Sequence, residues 1–332
     1  MPPCRPVPEL AAFVARIEAA GFSSVWVPDS QLLWRDPFAT LIAAAQTTST
    51  IQLGTAVSNV QTRLPSVVAS AVRTAAEIAP GRVVAGVGAG NSAVEPVGLR
   101  PSTGAALRDG VTELRQLLDG EGVRYVPDRE QYLEDPPSQR VPLYVAATGP
   151  KNLGVAGAIA DGAIVLGGLT STLLPDAIDK VHAGARDAGR DPSEVAIVST
   201  GFCHVTEDPE RDARMLKPII TGMSVTGGKR ALDRLGVQVE VPAVLPPVRP
   251  DLIHARDWDE AMAACDPYVS DEDALIFARN FCLFGDRDHV RRGLEELHTI
   301  GVTDVFVQHV GSYTLPEHLL EDVGGLLTPA AA

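Results

Sequence analysis

Short apolar runs rich in β-branched residues alternate along this chain with longer, alanine-rich amphipathic stretches. The first pair is VPELAAFVARIEAAG over residues 7–21, whose apolar positions have helical spacing, and SSVWVPD over residues 23–29, which is typical of a buried strand. Asp36 and Pro37 then predict the start of a second helix. The alternation continues to DVFVQHV over residues 304–310. It predicts βαβ units around a parallel sheet and therefore an α/β fold.

Seven strands in strand-then-helix order can be recognised, one fewer than a TIM-type (β/α)8 barrel contains, and the chain begins directly on a helix. The strands span residues 23–29, 51–57, 82–88, 142–147, 162–167, 195–205 and 304–310. We therefore predict such a barrel without its first strand. Either the natural start lies upstream of Met1, which we hypothesise, or the proline-rich segment PPCRPVP blunts an open edge. A strand formed by residues 1–8 would contradict the first explanation.

The regular alternation lapses between residues 224 and 285, where proline-rich and acidic segments such as VEVPAVLPPVRPD occur. We interpret residues 224–285 as an insertion that covers one end of the sheet, within a single barrel domain over residues 1–332. A doubly wound dinucleotide-binding sheet is the alternative, because Gly86, Gly88 and Gly90 follow a strand. Their spacing does not match G-x-G-x-x-G, which argues against that fold.

The composition argues against several classes of partner. A net charge of −14 and a pI of about 4.9 make nucleic acid and anionic membranes poor partners. No apolar run is long enough to span a bilayer, and MPPCRPVPEL lacks the charged and apolar regions of a signal peptide. The four cysteines are far apart and lack CxxC spacing, so we expect neither a metal site nor disulfides. These features fit a cytoplasmic protein.

The segment ATGPKN over residues 147–152 is a candidate anion site. A strand ends there, Thr148 and Gly149 form a turn, and Pro150 stands at the first position of a helix. The free N–H groups and the dipole at a helix N-terminus suit a phosphate, and Lys151 adds a positive charge. A plain corner between strand and helix is the alternative interpretation.

Other polar residues follow strands at the carboxyl end of the predicted sheet, where the active sites of barrels lie. Asp29, Ser30 and Trp34 stand at or just after the end of the strand SSVWVPD. Asn91 and Ser92 follow the glycine-rich strand RVVAGVG. Each set also has an ordinary structural explanation, because Asp29 or Asn91 can cap a turn and Trp34 can belong to the core.

Several stretches together resemble the bacterial luciferase-like family of barrel oxidoreductases, in particular its branch that depends on the deazaflavin coenzyme F420. The resemblance covers residues 7–200 well and residues 285–310 more loosely. It is specific because five stretches occur in order at the spacing of the family. These are VWVPDSQLLWRDP, LGTAVSNVQTRLP, RVVAGVGAGNSAVEPVG, PLYVAATGPKNLGVAGAIADGAIVLGG and FGDRDHVRRGLEELHTIGVTDVFV.

The resemblance implies roles for residues at these strand ends. In relatives, the strand that matches LGTAV ends in a bulge with a non-prolyl cis peptide against the cofactor ring, and the matching bond is Ala56–Val57. Asp29, Ser30 and Trp34 would face the reactive edge of that ring as catalytic residues. The residues expected to bind the cofactor are Thr55, Ala56, Val57, Ser58, Arg63, Asn91, Ser92, Ala147, Thr148, Gly149, Pro150, Lys151, Gly167 and Gly168.

The sequence also departs from the family in its acid–base residues. In the sugar-phosphate dehydrogenases of this family a His follows the aspartate and a Glu follows the glycine-rich strand, whereas this chain has Ser30 and Asn91 there. Activity on glucose 6-phosphate is therefore not expected. Asp29 is the first candidate for proton delivery, and His204 and His309, which end strands, are weaker candidates.

The resemblance implies hydride transfer between coenzyme F420 and a small organic substrate. An FMN-dependent monooxygenase of the same fold is the first alternative, because both cofactors would use the same pockets. A non-catalytic barrel that binds a ligand is the second, because the first strand and the acid–base pair are absent. Relatives are commonly dimers, so a homodimer is the candidate assembly.

Overall fold

The computed structural model describes residues 1–242, 244–245 and 247–327, and the chain forms two compact units. The first unit comprises Met1, Pro3–Leu166 and Asp176–Val198, and the second comprises Pro2, Gly167–Pro175 and the chain from Ser199 onward. The strands are β1 Ser24–Val27, β2 Gln52–Thr55, β3 Ser58–Asn59, β4 Val83–Gly88, β5 Val123–Val126, β6 Arg129–Gln131, β7 Leu143–Ala147, β8 Gly162–Val165, β9 Ala196–Val205, β10 Leu283–Gly285 and β11 Asp304–Gln308.

Helices follow most of these strands, as the sequence predicts. They are α1 Val7–Ala19, α2 Pro37–Ala45, α3 Pro65–Ile78, α4 Gly104–Leu118, α5 Pro150–Ile159, α6 Pro175–Asp187, α7 Pro209–Asp212, α8 Lys217–Val225, α9 Lys229–Leu235, α10 Trp258–Cys265, α11 Asp271–Phe281, α12 Arg287–Thr299, α13 Glu317–Asp322 and α14 Gly324–Leu327. The predicted start of the second helix is confirmed, because the Asp36 carboxylate accepts a hydrogen bond from the Ala39 N–H at 2.9 Å.

A parallel sheet forms the centre of the first unit. Its strands lie in the order β1-β2-β4-β7-β8, and β9 begins in this unit and ends in the second. Strands β4 and β8 are buried along their whole length, which is typical of parallel strands covered on both faces. The seven strands predicted from the sequence are all present, with ends shifted by a few residues. The sequence did not predict the antiparallel hairpin of β5 and β6, which lies outside this sheet.

No strand precedes β1 in the described chain. Residues 1–6 are irregular, and α1 begins at Val7. The proline-rich segment is instead held by Arg35, whose backbone N–H donates to the Pro3 carbonyl at 3.2 Å and whose guanidinium donates to the Cys4 carbonyl at 2.7 Å. Among the described strands β1 pairs with β2 alone, so the sheet has an open edge there, as predicted.

The predicted insertion over residues 224–285 is more regular than its sequence indicates. It contains helices α9, α10 and α11, and its last residues, Leu283–Gly285, form β10 in parallel register with Cys203, His204 and Val205 of β9. The last three residues of the predicted insertion thus belong to the sheet, and the bounds of the insertion stay a prediction. Three apolar residues directly after an amphipathic helix show no alternation of their own, so the pattern could not separate β10 from α11. That the region covers one end of the sheet stays a prediction, as does the single domain over residues 1–332.

A buried lysine joins the helices of the second unit. The Lys217 ammonium, at the start of α8, lies 2.6 Å from the carboxylates of both Asp266 and Asp271, which flank the turn between α10 and α11. Burial disfavours the charged ammonium, but the hydrogen bonds to these two carboxylates raise the pKa of Lys217 above its ordinary value. The core of this unit also contains Phe277 stacked on Phe281 at a centroid distance of 4.7 Å.

Glu18, on α1, binds the turn that leads into β2. Its carboxylate accepts hydrogen bonds from the backbone N–H groups of Ser49, Thr50 and Ile51 at 2.7–3.2 Å. Burial opposes the charged form, but these N–H groups outweigh it and lower the pKa of Glu18 from 4.5 to about 2. The carboxylate therefore stabilises the folded state above pH 4.5, and this stabilisation is lost as the pH falls through about 2.

We expect Glu18→Gln to lower the free energy of unfolding at pH 7 by about 1 kcal/mol, at the low end for charged hydrogen bonds because the carboxylate is partly solvated. Urea denaturation between pH 7 and pH 2 checks this. The difference between the wild type and the variant should shrink over the lower part of that range. A constant difference would show that the charge of Glu18 is not what stabilises the turn.

Candidate active site

The chain between β2 and β3 contains the backbone feature that the family resemblance implies. The Ala56–Val57 peptide bond is cis, as predicted. The Thr55 hydroxyl, at the end of β2, donates to the Gly86 carbonyl at 2.8 Å and accepts from the Gly86 N–H at 2.9 Å. Thr55 is buried, and its two hydrogen bonds connect the end of β2 to β4. Residues 56 and 57, which follow it, are half-buried.

Glycine is required at position 86 by close packing between the strands. A Cβ atom there would lie 2.0 Å from the Thr55 carbonyl oxygen and 3.3 Å from the Ile164 side chain. Gly88 is similarly close to the loop, because a Cβ atom there would lie 2.7 Å from the Val57 side chain. The glycine-rich strand therefore allows the 56–57 backbone to lie directly against β4.

Asp29, Ser58 and Arg63 form one buried ion-pair cluster beside this backbone. The Arg63 guanidinium donates to both oxygens of Asp29, at 2.7 and 3.2 Å, and the Ser58 hydroxyl donates to the same carboxylate at 2.7 Å. Arg63 also binds Asp36 at 2.6 Å and lies over the Phe38 ring. The side chain of Asp29 is 1% exposed and that of Arg63 is 20% exposed.

This cluster changes the roles available to two predicted site residues. Burial opposes the charge on Arg63, but the hydrogen bonds to Asp29 and Asp36 raise its pKa above the ordinary value. Its Nε and Nη2 donors are directed at these two protein carboxylates. The Asp29 carboxylate in turn accepts three hydrogen bonds from Ser58 and Arg63, so its oxygens are already engaged by protein donors. The sequence predicted Asp36 only as a helix cap, so this second contact was missed.

Ser30 and Ser92 tie together the loops after β1 and β4. Their hydroxyl oxygens lie 2.7 Å apart, and the Gln31 side chain donates to the Ala93 carbonyl at 2.7 Å. Asn91 is exposed, and its carbonyl accepts the backbone N–H groups that start the short 3-10 helix Glu95–Val97. Trp34 is half-buried, and its N–H donates to the Ser30 carbonyl at 3.0 Å. The positions where sugar-phosphate dehydrogenases carry His and Glu thus hold a hydroxyl and an amide.

The predicted anion site is the N-terminus of α5. Gly149 is the N-cap, Pro150 is the first helical residue, and no side chain caps the free N–H groups. A Cβ atom at Gly149 would meet nothing within 4 Å, and Thr148 and Lys151 are exposed. Ala147, by contrast, is buried as the last residue of β7. The geometry leaves N–H donors and one ammonium available to a bound phosphate.

Gly167 and Gly168 belong to the second unit. Gly168 has φ +87°, and a Cβ atom there would lie 2.8 Å from the carbonyl of Phe281 at the end of α11. Position 168 therefore requires glycine. Its carbonyl accepts a hydrogen bond from the Ser199 hydroxyl at 2.8 Å. These contacts give Gly168 a structural role, and the role of both glycines in cofactor binding stays a prediction.

Three histidines lie together in the second unit. The ring centroids of His204 and His318 are 5.6 Å apart, and those of His309 and His318 are 6.0 Å apart. The His204 Nε2 atom lies 3.6 Å from an oxygen of Asp212. Sequence analysis named His204 and His309 but missed His318 and Asp212, because neither stands at a strand end or at a recognisable spacing.

Two features are absent from residues 1–242, 244–245 and 247–327. No group of three or more His, Cys, Asp or Glu side chains in those ranges could hold a metal ion. No helix in them is long and apolar enough to cross a membrane.

Comparisons with known proteins agree with the predicted family. The family model described as luciferase-like monooxygenase matches residues 3–304. The chain is 28% identical over 313 residues to a 5,10-methylenetetrahydromethanopterin reductase of Methanolobus tindarius, covering 91% of this chain and 90% of the relative. It is 40% identical over 189 residues to an F420-dependent glucose-6-phosphate dehydrogenase of Beutenbergia cavernae, covering 50% of this chain and 56% of the relative.

Solved structures show the fold. The coenzyme F420-dependent tetrahydromethanopterin reductase of Methanopyrus kandleri superposes with a TM-score of 0.75 at 24% identity, over 97% of this chain and 95% of that chain. An F420-dependent secondary alcohol dehydrogenase, solved with an F420-acetone adduct, has the same TM-score at 21% identity, over 97% and 94%. The fold is thus the TIM-type barrel of luciferase-like proteins, as predicted.

Proposed function

Because the chain belongs to the luciferase-like monooxygenase family, we propose that it is an oxidoreductase that uses coenzyme F420 to transfer hydride to or from a small organic substrate. The observation that carries the proposal is the open N-terminus of α5, where uncapped N–H groups and Lys151 suit a phosphate-bearing cofactor. The names of the relatives support F420 as that cofactor, since several of them, and both solved structures above, depend on it.

The residues present fit such a cofactor. Gly149, Pro150 and Lys151 would hold its phosphate, and the half-buried backbone at Ala56 and Val57 would support its ring. When bound, the deazaflavin accepts or donates the hydride. The protein keeps the supporting backbone in place through the Thr55 hydroxyl bound to β4. The chain's own task is thus to position the ring, which is the principal contribution of a protein to cofactor chemistry.

Sugar phosphates are not the substrates that we propose. Two relatives carry the name of F420-dependent glucose-6-phosphate dehydrogenase, one matching half of this chain and the other 79% of it, but this chain differs from that enzyme class at two positions. Here the Ser30 hydroxyl is hydrogen-bonded to Ser92, and Asn91 is exposed, so neither position supplies an acid–base group. We propose a small organic electrophile or its reduced form instead.

We also propose that the protein forms a homodimer. Sedimentation of the purified protein checks this.

An anaerobic titration with coenzyme F420 and, separately, with FMN tests the proposed function through the fluorescence of the rings. Saturable micromolar binding of F420 without comparable binding of FMN is the expected result. A preference for FMN, with oxygen consumption by the reduced flavin complex, would instead indicate a monooxygenase. Binding of neither cofactor would indicate a non-catalytic barrel.

We expect Lys151→Ala to weaken F420 binding about three- to tenfold, equivalent to about 1 kcal/mol, because it removes the charge beside the uncapped N–H groups of α5. The same fluorescence titration at low and high salt measures the effect, which should shrink at high salt. Lys180→Ala is the matched control, since Lys180 pairs with Asp176 on the surface of α6. Equal weakening in both variants would show a general charge effect and contradict the assignment of the phosphate to α5.

A further inference from the structure

The Ser30–Ser92 pair bridges the carboxyl end of β2. Strands β1 and β4 pair with β2 on its two sides, so they are separated by about 10 Å. Ser30 follows β1 and Ser92 follows β4, yet their hydroxyl oxygens lie 2.7 Å apart. The two loops therefore meet over the end of β2, which leads directly into the cis Ala56–Val57 bond. Barrel enzymes bind their substrates at this end of the strands.

Hydrogen bonds on both sides of Ser30 fix the pair at that place. The Asp29 carboxylate, one residue before Ser30, accepts the hydroxyl of Ser58 at 2.7 Å, and Ser58 comes directly after the cis bond. The Gln31 amide, one residue after Ser30, donates to the Ala93 carbonyl at 2.7 Å. The hydroxyl pair is therefore tied both to the backbone proposed to support the cofactor ring and to the loop after β4.

The pair has one hydroxyl proton more than its own hydrogen bond uses. Two hydroxyl groups carry two protons, and the bond between them takes one. Within the described chain, the side chains of Ser30 and Ser92 make no other hydrogen bond. Ser30 is buried, whereas Ser92 is half-buried and keeps part of its surface accessible. When Ser30 donates to Ser92, the Ser92 hydroxyl can therefore donate its own proton to a ligand oxygen.

The two loops that bring the hydroxyls together also expose large apolar side chains. Leu32, on the loop after β1, is 65% exposed, and Val97 and Leu99, on the loop after β4, are 45% and 43% exposed. One exposed apolar residue needs no explanation, but three on two joined loops at the active-site end are typical of a surface that binds an apolar ligand.

The charged side chains of this region favour an uncharged ligand at the hydroxyls. Arg63, which could bind an anion, is paired with Asp29 and Asp36. Glu95 and Arg100, on the loop after β4, are both exposed and have opposite charges, so that loop has no net charge. A neutral hydroxyl donor in such surroundings suits a neutral oxygen acceptor.

We propose that the Ser30–Ser92 pair binds the oxygen of an uncharged carbonyl substrate. Leu32, Val97 and Leu99 receive the hydrocarbon part of that substrate. The inference rests on the proposed function and names its substrate class, which is apolar aldehydes and ketones. As the carbonyl carbon accepts hydride from reduced F420, the π electron pair of the C=O bond moves to the oxygen, and the hydrogen bond from the pair stabilises the developing charge. Water supplies the proton that completes the hydroxyl group, which leaves hydroxide in solution.

Thiol labelling tests ligand contact at position 92 without turnover. Ser92→Cys is made in a Cys4→Ser background, because Cys4 is half-buried and the other three cysteines are buried. In the complex with oxidised F420, we expect acetophenone to slow labelling by N-ethylmaleimide about tenfold when its concentration is ten times its Kd. Ser193→Cys, exposed on the 3-10 helix Pro192–Glu194, is the control and should be labelled at one rate with and without the ketone. Equal labelling of Ser92→Cys with and without acetophenone overturns the proposal.

Kinetics with reduced F420 test the same contact during turnover. We expect the wild type to reduce cyclohexanone, hexanal and acetophenone faster than the anion pyruvate. Ser92→Ala should lower kcat/KM for these uncharged compounds about tenfold or more, because a hydrogen bond to the developing charge is lost. Ser92→Thr, which keeps a hydroxyl group, should restore most of it. The pair is not an acid–base group near neutral pH, so Ser92→Ala should leave the pH profile unchanged. Full activity or a shifted pH profile in Ser92→Ala overturns the proposal.

Arg100→Ala tests the charge of the substrate. The Arg100 side chain is exposed on the loop after β4 and would attract an anionic substrate. We expect this variant to reduce acetophenone at the wild-type rate. The substrate class is wrong if the wild type reduces pyruvate faster than the uncharged compounds, if Arg100→Ala loses activity on acetophenone, or if a wild type that binds F420 reduces none of the compounds.

Fluorescence titration of the wild type and Ser92→Ala with F420 separates this inference from the proposed function. Equal F420 binding by both proteins, with slower reduction by Ser92→Ala, is the expected result and assigns the hydroxyl to the substrate. Weaker F420 binding by Ser92→Ala would assign the hydroxyl to the cofactor and overturn this inference alone. A wild type that does not bind F420 would refute the proposed function and this inference with it.

Discussion

Replacing Gly86 by alanine is expected to lower the free energy of unfolding by about 3 kcal/mol or more, the upper end for an overpacked core. The added Cβ atom would lie 2.0 Å from the Thr55 carbonyl oxygen, which is backbone and has no flexible end that could move away. Strands β2 and β4 must therefore separate, and the two hydrogen bonds between the Thr55 hydroxyl and Gly86 are lost. Urea denaturation measures the stability.

Gly154→Ala is the matched control for this substitution. Gly154 lies inside α5, and a Cβ atom there would meet nothing within 4 Å. Alanine should stabilise that helix by about 0.5–1 kcal/mol, so the two identical chemical changes should have opposite signs. Wild-type stability of Gly86→Ala would mean that β2 and β4 are not in close contact at Thr55.

Because Thr55 holds the backbone before Ala56 in place, we also expect Gly86→Ala to weaken F420 binding more than Gly154→Ala does.

Replacing Arg63 by alanine is expected to lower the free energy of unfolding by about 3–5 kcal/mol, the range for removing one partner of a buried ion pair. The Asp29 carboxylate, which is 1% exposed in the wild type, would keep only the Ser58 hydroxyl as a side-chain donor among the residues that bind it in the structure. The stacking of the guanidinium on Phe38 and its contact with Asp36 would be lost as well. Urea denaturation at pH 7 gives the change in stability.

Arg291→Ala provides the comparison for Arg63→Ala. Arg291 forms surface ion pairs with Asp288 and Glu295 on α12, so its loss should leave the stability close to that of the wild type. The double variant Arg63→Ala with Asp29→Asn should recover part of the loss, since it removes the buried charge that was left unpaired. The ion pair between Asp29 and Arg63 would not be what stabilises the fold if the double variant recovers no stability, or if Arg63→Ala and Arg291→Ala lower the stability equally.

Asp29 shows why site residues are harder to predict than strands. Its position after a buried strand correctly predicted that Asp29 lies at the carboxyl end of the sheet. The prediction that Asp29 delivers a proton rested on that position alone. Its chemistry depends on Ser58 and Arg63, which are 29 and 34 residues away in sequence. No local pattern encodes those contacts. His204 is the reverse case, because its neighbours Asp212 and His318 were invisible in the sequence.

The sequence by itself determined the α/β class, the order of the main strands, the open edge at β1 and the family with its Ala56–Val57 bond. These features depend on local periodicity, on glycine and proline at element ends, and on short motifs, all of which neighbouring residues specify. Only the tertiary structure decided that Arg63 binds Asp29 and Asp36, that Leu283–Gly285 forms a strand beside β9, and that His204 packs between Asp212 and His318. Such contacts join residues distant in the chain, and their energies depend on burial and hydrogen-bond geometry that exist only once the chain has folded.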